Sequence, residues 1–171
     1  MNNQDKIDFI VNWITDYVSK MPNPAKSLVV GVSGGVDSAL TSTLASMTGL
    51  RTIALSMPIS TNSTSSSLSS THGKWLEDKF TNTTFMTIDL TSTYMEFNSL
   101  LTNSNQGSDL GFANTKSRLR MVTLYQVAAA QSGLVVGTGN KVEDFGVGFY
   151  TKYGDGGVDI SPIADLMKSE V

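Results

Sequence analysis

The chain has 171 residues, a formal net charge of −3 and no cysteine. That length suits one domain with a real core, and the slight acidic excess speaks against nucleic acid or an anionic membrane surface as a partner. Without cysteine, the chain itself offers no disulfide framework, thiolate metal site, cysteine nucleophile or sulfur relay. No run approaches the roughly 18 apolar residues of a membrane span. Asp5, Asp8 and Asp16 break up any leader-like stretch, so a cytoplasmic protein without a signal peptide is expected.

Ile7, Ile10, Val11, Ile14, Val18 and Met21 recur at spacings of three and four, which predicts an amphipathic helix ended by Pro22 and Pro24. Residues 27–32 (SLVVGV) form a nearly continuous apolar run, suited to a strand covered on both faces. Gly34-Gly35 follow, then a helix carrying Ala39, Leu40, Leu44, Ala45 and Met47, with Gly49 as its stop. Further strands are predicted at 52–57, 84–88 and 134–137, and further helices at 68–80, 92–101 and about 114–131. The block around Ser63–Ser70 reads as a polar loop entering a weak helix. Strands that alternate with helices in this way predict an α/β fold, a parallel sheet with helices on both faces. Ligands of such sheets bind beyond the carboxyl ends of the strands. Residues 138–157 read as too irregular for an element and too rich in glycines, acids, lysines and aromatics for a spacer.

Ser33-Gly34-Gly35-Val36-Asp37-Ser38 lies at a strand-to-helix junction. Glycines allow a sharp turn, and the following helix presents unpaired N–H groups with partial positive charge, which suits a phosphate. A plain tight turn with Asp37 at the helix start is the simpler alternative. The loop matches neither the dinucleotide nor the Walker pattern. A carboxylate at a phosphate site needs a cation, so Asp37 predicts Mg²⁺ with a second acid nearby, and Glu143 is the best partner. Lys116, Arg118 and Arg120, placed by this reading at a helix start where cations oppose the dipole, suggest an anionic ligand. Phe149, Tyr150 and Tyr153 offer faces for a heteroaromatic ring. Lys168 could reach a phosphate, although taken alone it reads as a surface lysine. His72 reads as a surface residue, and no Ser-His-Asp arrangement is built on it.

These residues resemble a known family. SGGVDS after an apolar strand looks like the loop of the N-type ATP pyrophosphatases, whose fold is Rossmann-like, of the adenine nucleotide alpha hydrolase type. The segments NTKSRLRMVTLY and LVVGTGNKVEDFGVGFYTKYGDGGVDISPIADLMKSEV resemble the NAD synthetases. The resemblance is dense from Asn114 onward and poorest over 59–83.

It implies an ammonia-dependent ligase of NAD biosynthesis that converts nicotinic acid adenine dinucleotide (deamido-NAD) to NAD through an adenylated intermediate, releasing AMP and pyrophosphate. ATP would be held by Gly31, Val32, Ser33, Gly34, Gly35, Val36, Asp37, Ser38, Met57, Thr138 and Lys168. Deamido-NAD would meet Arg118, Phe149, Lys152, Asp155 and Asp159. Asp37 and Glu143 would carry Mg²⁺, and no covalent nucleophile is needed. Glutamine-dependent members use a cysteine amidase domain, so a chain without cysteine is expected to take free ammonia or ammonia from a separate protein.

A homodimer is the family expectation. Members continue well past Val171, where the sequence reads as the first turns of a helix, so residues 1–171 are expected to be a single synthetase domain truncated at its C-terminal side. Two alternatives stay open: another ATP pyrophosphatase, such as a GMP-synthetase-like enzyme, or a nucleotide-binding module without turnover.

Overall fold

The computed structural model describes residues 2–59 and 63–171. Strands β1 (Ser27–Gly31), β2 (Thr52–Ser56), β3 (Thr83–Thr87) and β4 (Gly133–Val136) pair in parallel in the order β3-β2-β1-β4. They alternate with helices α1 (Asn3–Ser19), α2 (Val36–Met47), α3 (Ser63–Lys79), α4 (Thr91–Asn103) and α5 (Asp109–Ala130). Part of the polar stretch ahead of α3, at 60–62, lies outside the described residues.

The period of two along each strand decides which helix covers which face. Leu28 and Val30 of β1, with Leu134 and Val136 of β4, pack on Ile10, Ile14 and Val18 of α1 and Leu44 of α2. Their neighbours Val29, Ile53, Leu55 and Val135 point the other way, onto Met121, Leu124 and Ala128 of α5. Leu76 of α3 meets Ala54 on the α2 side. The sheet is therefore covered on both faces, as the apolar strands predict. Truncating a side chain as enclosed as Ile14, which has no exposed surface, costs about 2–5 kcal/mol in such a core.

Caps explain where the helix bounds differ from the sequence reading. Asn2 and Asp5 form a reciprocal capping box, so α1 starts a turn ahead of Ile7. Ser108 accepts from the Gly111 amide at 3.1 Å and starts α5 at Asp109 rather than near Asn114. Lys116, Arg118 and Arg120 consequently lie about two turns or more inside α5, where the terminal dipole no longer acts, and the electrostatic case for an anion at that helix start fails. The segment after β4 is also more regular than expected. Lys141–Val147 winds as a single π-helix stretch, capped by Asn140 and closed by Gly148 in the left-handed region. Residues 161–170 form successive hydrogen-bonded turns rather than the opening of a helix.

Each outer strand finds a carboxylate. Glu77 of α3 accepts from the Phe85 amide on β3 at 2.8 Å. On β4, Asp159 accepts from the Val135 amide at 2.8 Å while its own amide donates to the Val135 carbonyl at 3.0 Å. No described helix is long and apolar enough to cross a membrane.

Candidate active site

After β1 the chain builds outward through β2 and β3, then returns to place β4 on the other side of β1. The loops that follow β1 and β4 thus leave the sheet in different directions and open a crevice beyond the strand ends. Two cavities occupy it. The larger, of about 540 Å³, falls in the range of small-molecule pockets and is lined by Met57, Pro58, Ile59, Met121 and Leu124 together with polar groups. The smaller, of about 190 Å³, is lined by Asp37, Ser38, Glu143, Asp144 and Phe149 among others. Ser33, Thr138 and Asp155 border both, so a compartment of mixed apolar and polar lining adjoins an acidic one.

The loop after β1 braces itself. Gly34 adopts φ +90°, a conformation that L side chains rarely adopt. The buried Ser38 Oγ donates to the Gly35 carbonyl (2.9 Å) and accepts from the Ser33 amide (3.1 Å), while Ser33 Oγ accepts from the Gly35 amide (3.2 Å). Ser38 therefore shapes the loop from within. Of the loop residues expected around ATP, Gly31, Val32, Ser33, Asp37 and Ser38 line a cavity; Gly34, Gly35 and the exposed Val36 do not.

Asp37 and Glu143 do meet across the strand ends. Lys168 Nζ sits between them, donating to Asp37 Oδ2 at 2.5 Å and to Glu143 Oε1 at 2.9 Å. Those two bonds hold the Lys168 ammonium above its ordinary range. Asp144 lies beside them, its carboxyl pushed up first by burial and then by the charges of Asp155, Glu143 and Asp37. The surplus of negative charge suits a further cation. Two carboxylates and no nitrogen or sulfur donor match the preference of Mg²⁺, which takes one or two protein carboxylates and fills its shell with water and phosphate oxygens. Among the described residues no cluster of three or more acidic or imidazole ligands forms, which such an ion does not require.

Asn140 was absent from the expected site, although an Asn just ahead of an acidic turn is a cap signal. It has no exposed surface. Its Oδ1 accepts from the Val142 and Glu143 amides (3.0 and 3.1 Å), which fixes the amide orientation, and its Nδ2 donates to Asp37 Oδ1 at 2.9 Å. Arg120, half-buried with its guanidinium pKa lowered by burial, donates from Nε to the Met57 carbonyl at 3.0 Å and helps wall the larger cavity. Asp155 is held by Ser117 Oγ (2.7 Å) and the Thr151 amide (2.9 Å).

The remaining expected residues disperse. Met57 and Thr138 line the larger cavity and Phe149 the smaller. Arg118 donates to the Lys152 carbonyl at 3.1 Å, and Lys152 Nζ lies 5.1 Å over the Tyr153 ring; neither side chain lines a cavity. Asp159 is engaged by the Val135 amide and the Tyr125 hydroxyl (2.9 Å), away from both. His72 is half-buried rather than superficial: its Nε2 bonds Ser42 Oγ of α2 at 2.9 Å, its ring stacks on Trp75, and burial lowers its pKa.

An open parallel sheet with a ligand-sized crevice where the strand order reverses defines a doubly wound α/β protein. A family model described as NAD synthase matches residues 6–171, and the chain belongs to that family. It is 36% identical to the NH(3)-dependent NAD(+) synthetase of Carboxydothermus hydrogenoformans over all of this chain and 68% of that one. Among solved structures, an NMN synthetase from Francisella tularensis superposes with TM-score 0.88 and 32% identity over 99% of this chain and 68% of its own. An NH3-dependent NAD synthetase from Campylobacter jejuni, in complex with nitrate, does so with TM-score 0.86 and 30% identity over 99% and 70%. The chain spans between 55% and 68% of the curated relatives it matches.

Proposed function

We propose that the chain carries the synthetase core that amidates deamido-NAD to NAD with ammonia at the expense of ATP. One observation carries the reading: Asp37 and Glu143, 106 positions apart in sequence, converge on a single ammonium and both line an acidic cavity that shares a wall with a larger one of about 540 Å³. ATP lies with its base toward Met57 and its phosphates toward the loop 33–38. The carboxylate of deamido-NAD attacks the α-phosphorus, the α–β bridge breaks and pyrophosphate leaves. Ammonia then attacks the acyl-adenylate carbon, AMP departs, and the amine loses its extra proton to give the amide.

Asp37 and Glu143 would hold Mg²⁺, which when bound would supply charge neutralisation on the phosphates. Lys168 moves from the carboxylates to the pyrophosphate oxygens, and Thr138 borders both compartments to hold the phosphate chain between them. Asp155, Phe149 and the outer pair Arg118 and Lys152 receive the dinucleotide, with Asp159 behind them. Fixed groups of this kind are worth about 3–4 kcal/mol each in a transition state. The assembly we propose is a cytoplasmic homodimer. Exposed Met95, Leu100, Leu110 and Val122 on α4 and α5 support it as apolar surface for a second copy to cover.

The test is incubation with ATP, Mg²⁺, ammonium and deamido-NAD, following NAD and AMP. NAD formation that vanishes in Asp37→Ala is the expected result. Bound ATP without AMP release returns the inert module, and AMP release only with xanthosine monophosphate returns the GMP-synthetase-like reading. Because the Francisella relative is called an NMN synthetase, nicotinic acid mononucleotide belongs beside the dinucleotide as a competing acceptor.

A further inference from the structure

We infer that Asn140 is a positioning residue for the Asp37–Glu143 pair, presetting both carboxylates for a divalent cation. The inference rests on the reading of that pair as the Mg²⁺ ligands. Asp37 opens α2 and Glu143 lies in the first turn of the π-helical stretch, on segments that follow different strands, so their convergence needs a tie between the two. Asn140 provides it from full burial.

Its donor end fixes Asp37 Oδ1 at 2.9 Å, leaving Oδ2 as the oxygen turned to the cation position that Lys168 Nζ now fills. Its acceptor end takes the Glu143 amide at 3.1 Å, which fixes the backbone from which that carboxylate springs. A helix cap needs only an acceptor, and Ser, Thr or Asp serve as well as Asn. The donor to Asp37 is therefore surplus to capping. Aspartate here would set two carboxylates against each other, and serine is too short to span the gap. Asparagine combines a double acceptor with a donor, and the buried site uses both.

The experiment measures how much Mn²⁺ tightens binding of a non-hydrolysable ATP analogue, by calorimetry, in wild type, Asn140→Ser, Asn140→Thr, Asp37→Asn and the Asn140→Ser/Asp37→Asn double variant. Outer-sphere partners of metal ligands commonly govern about 10- to 100-fold in metal affinity. The expected result is a Mn²⁺-dependent gain at least about tenfold smaller in Asn140→Ser and Asn140→Thr. Their metal-free nucleotide affinity and melting temperature stay close to wild type, and the double variant loses no more than Asp37→Asn alone.

A wild-type gain in Asn140→Ser, beside a lost gain in Asp37→Asn, overturns the positioning role and leaves the metal reading standing. No gain in wild type, or a full gain in Asp37→Asn, overturns the metal reading and this inference with it. If both cap-retaining variants melt as far below wild type as an Asn140→Ala control measured beside them, Asn140 is a support of packing alone and the inference fails.

Discussion

The loops that follow β1 and β4 face each other across one crevice and are held in opposite ways. The first is closed by its own residues: Ser33, Gly35 and Ser38 bond one another within six positions. The second is held from outside. Gly137 donates to the Ile160 carbonyl, Lys141 to that of Leu166, and Asn140 reaches back to Asp37. A self-contained loop can be altered locally without disturbing the crevice, whereas the second loop transmits any change to several distant segments.

The sharpest way to test this contrast is at the point where the loops meet. Asp37→Ala removes the carboxylate shared by Asn140 and Lys168 and is expected to lower NAD formation at least about 100-fold, read as steady-state product with the fold checked by circular dichroism. The next largest effect falls on the outward-held loop. A Cβ on Gly139 would meet the Asp144 carboxylate at 1.8 Å, so Gly139→Ala must shift that side chain. Overpacking of this kind costs about 1–3 kcal/mol, measurable by chemical denaturation.

Ser38→Ala, in the self-braced loop, removes three loop bonds and is expected to cost about 1 kcal/mol in the same measurement. It should weaken nucleotide binding while the metal-dependent gain persists. If Ser38→Ala proves more damaging than Gly139→Ala, the contrast between the loops is broken.

The smallest effect concerns His72 of α3, where it meets Ser42 of α2. Burial depresses the His72 pKa, so the folded state favours neutral imidazole while the unfolded chain protonates near 6.5. Stability from this source is complete above that value and is lost as pH falls through the lower folded value. Denaturation midpoints at pH 7 and pH 5 should differ by less in His72→Asn than in wild type.

The same contrast explains what the residues disclosed before any coordinates. The parallel sheet, the apolar faces and the β1 loop were legible, because strand runs such as 27–32 and a loop closed over six residues are written contiguously. The convergence of Asp37 and Glu143 was legible through charge, since an acid at a loop read as a phosphate site calls for a cation and a second acid beside it. Asn140 was not, since its value depends on a partner 103 positions away. The start of α5 was missed because Ser108 lay inside a stretch rich in polar loop residues, and that miss misplaced Lys116, Arg118 and Arg120 relative to the dipole. His72 was misjudged because the residues just before it are polar, while its bond to Ser42 of α2 comes from 30 positions away. Sequence-local cues tell little about side chains whose surroundings are assembled from other elements.

The carboxylates on the outer strands bear on a different property. An uncovered strand is a template on which another chain can add itself. Glu77 occupies a backbone donor on β3, and Asp159, with the short 158–160 segment that runs beside it, occupies β4. Glu77→Ala and Asp159→Ala leave the crevice lining untouched but free those donors, and with them a route to intermolecular strand addition and aggregation. Two acids outside both cavities thus help keep the sheet closed to further strands.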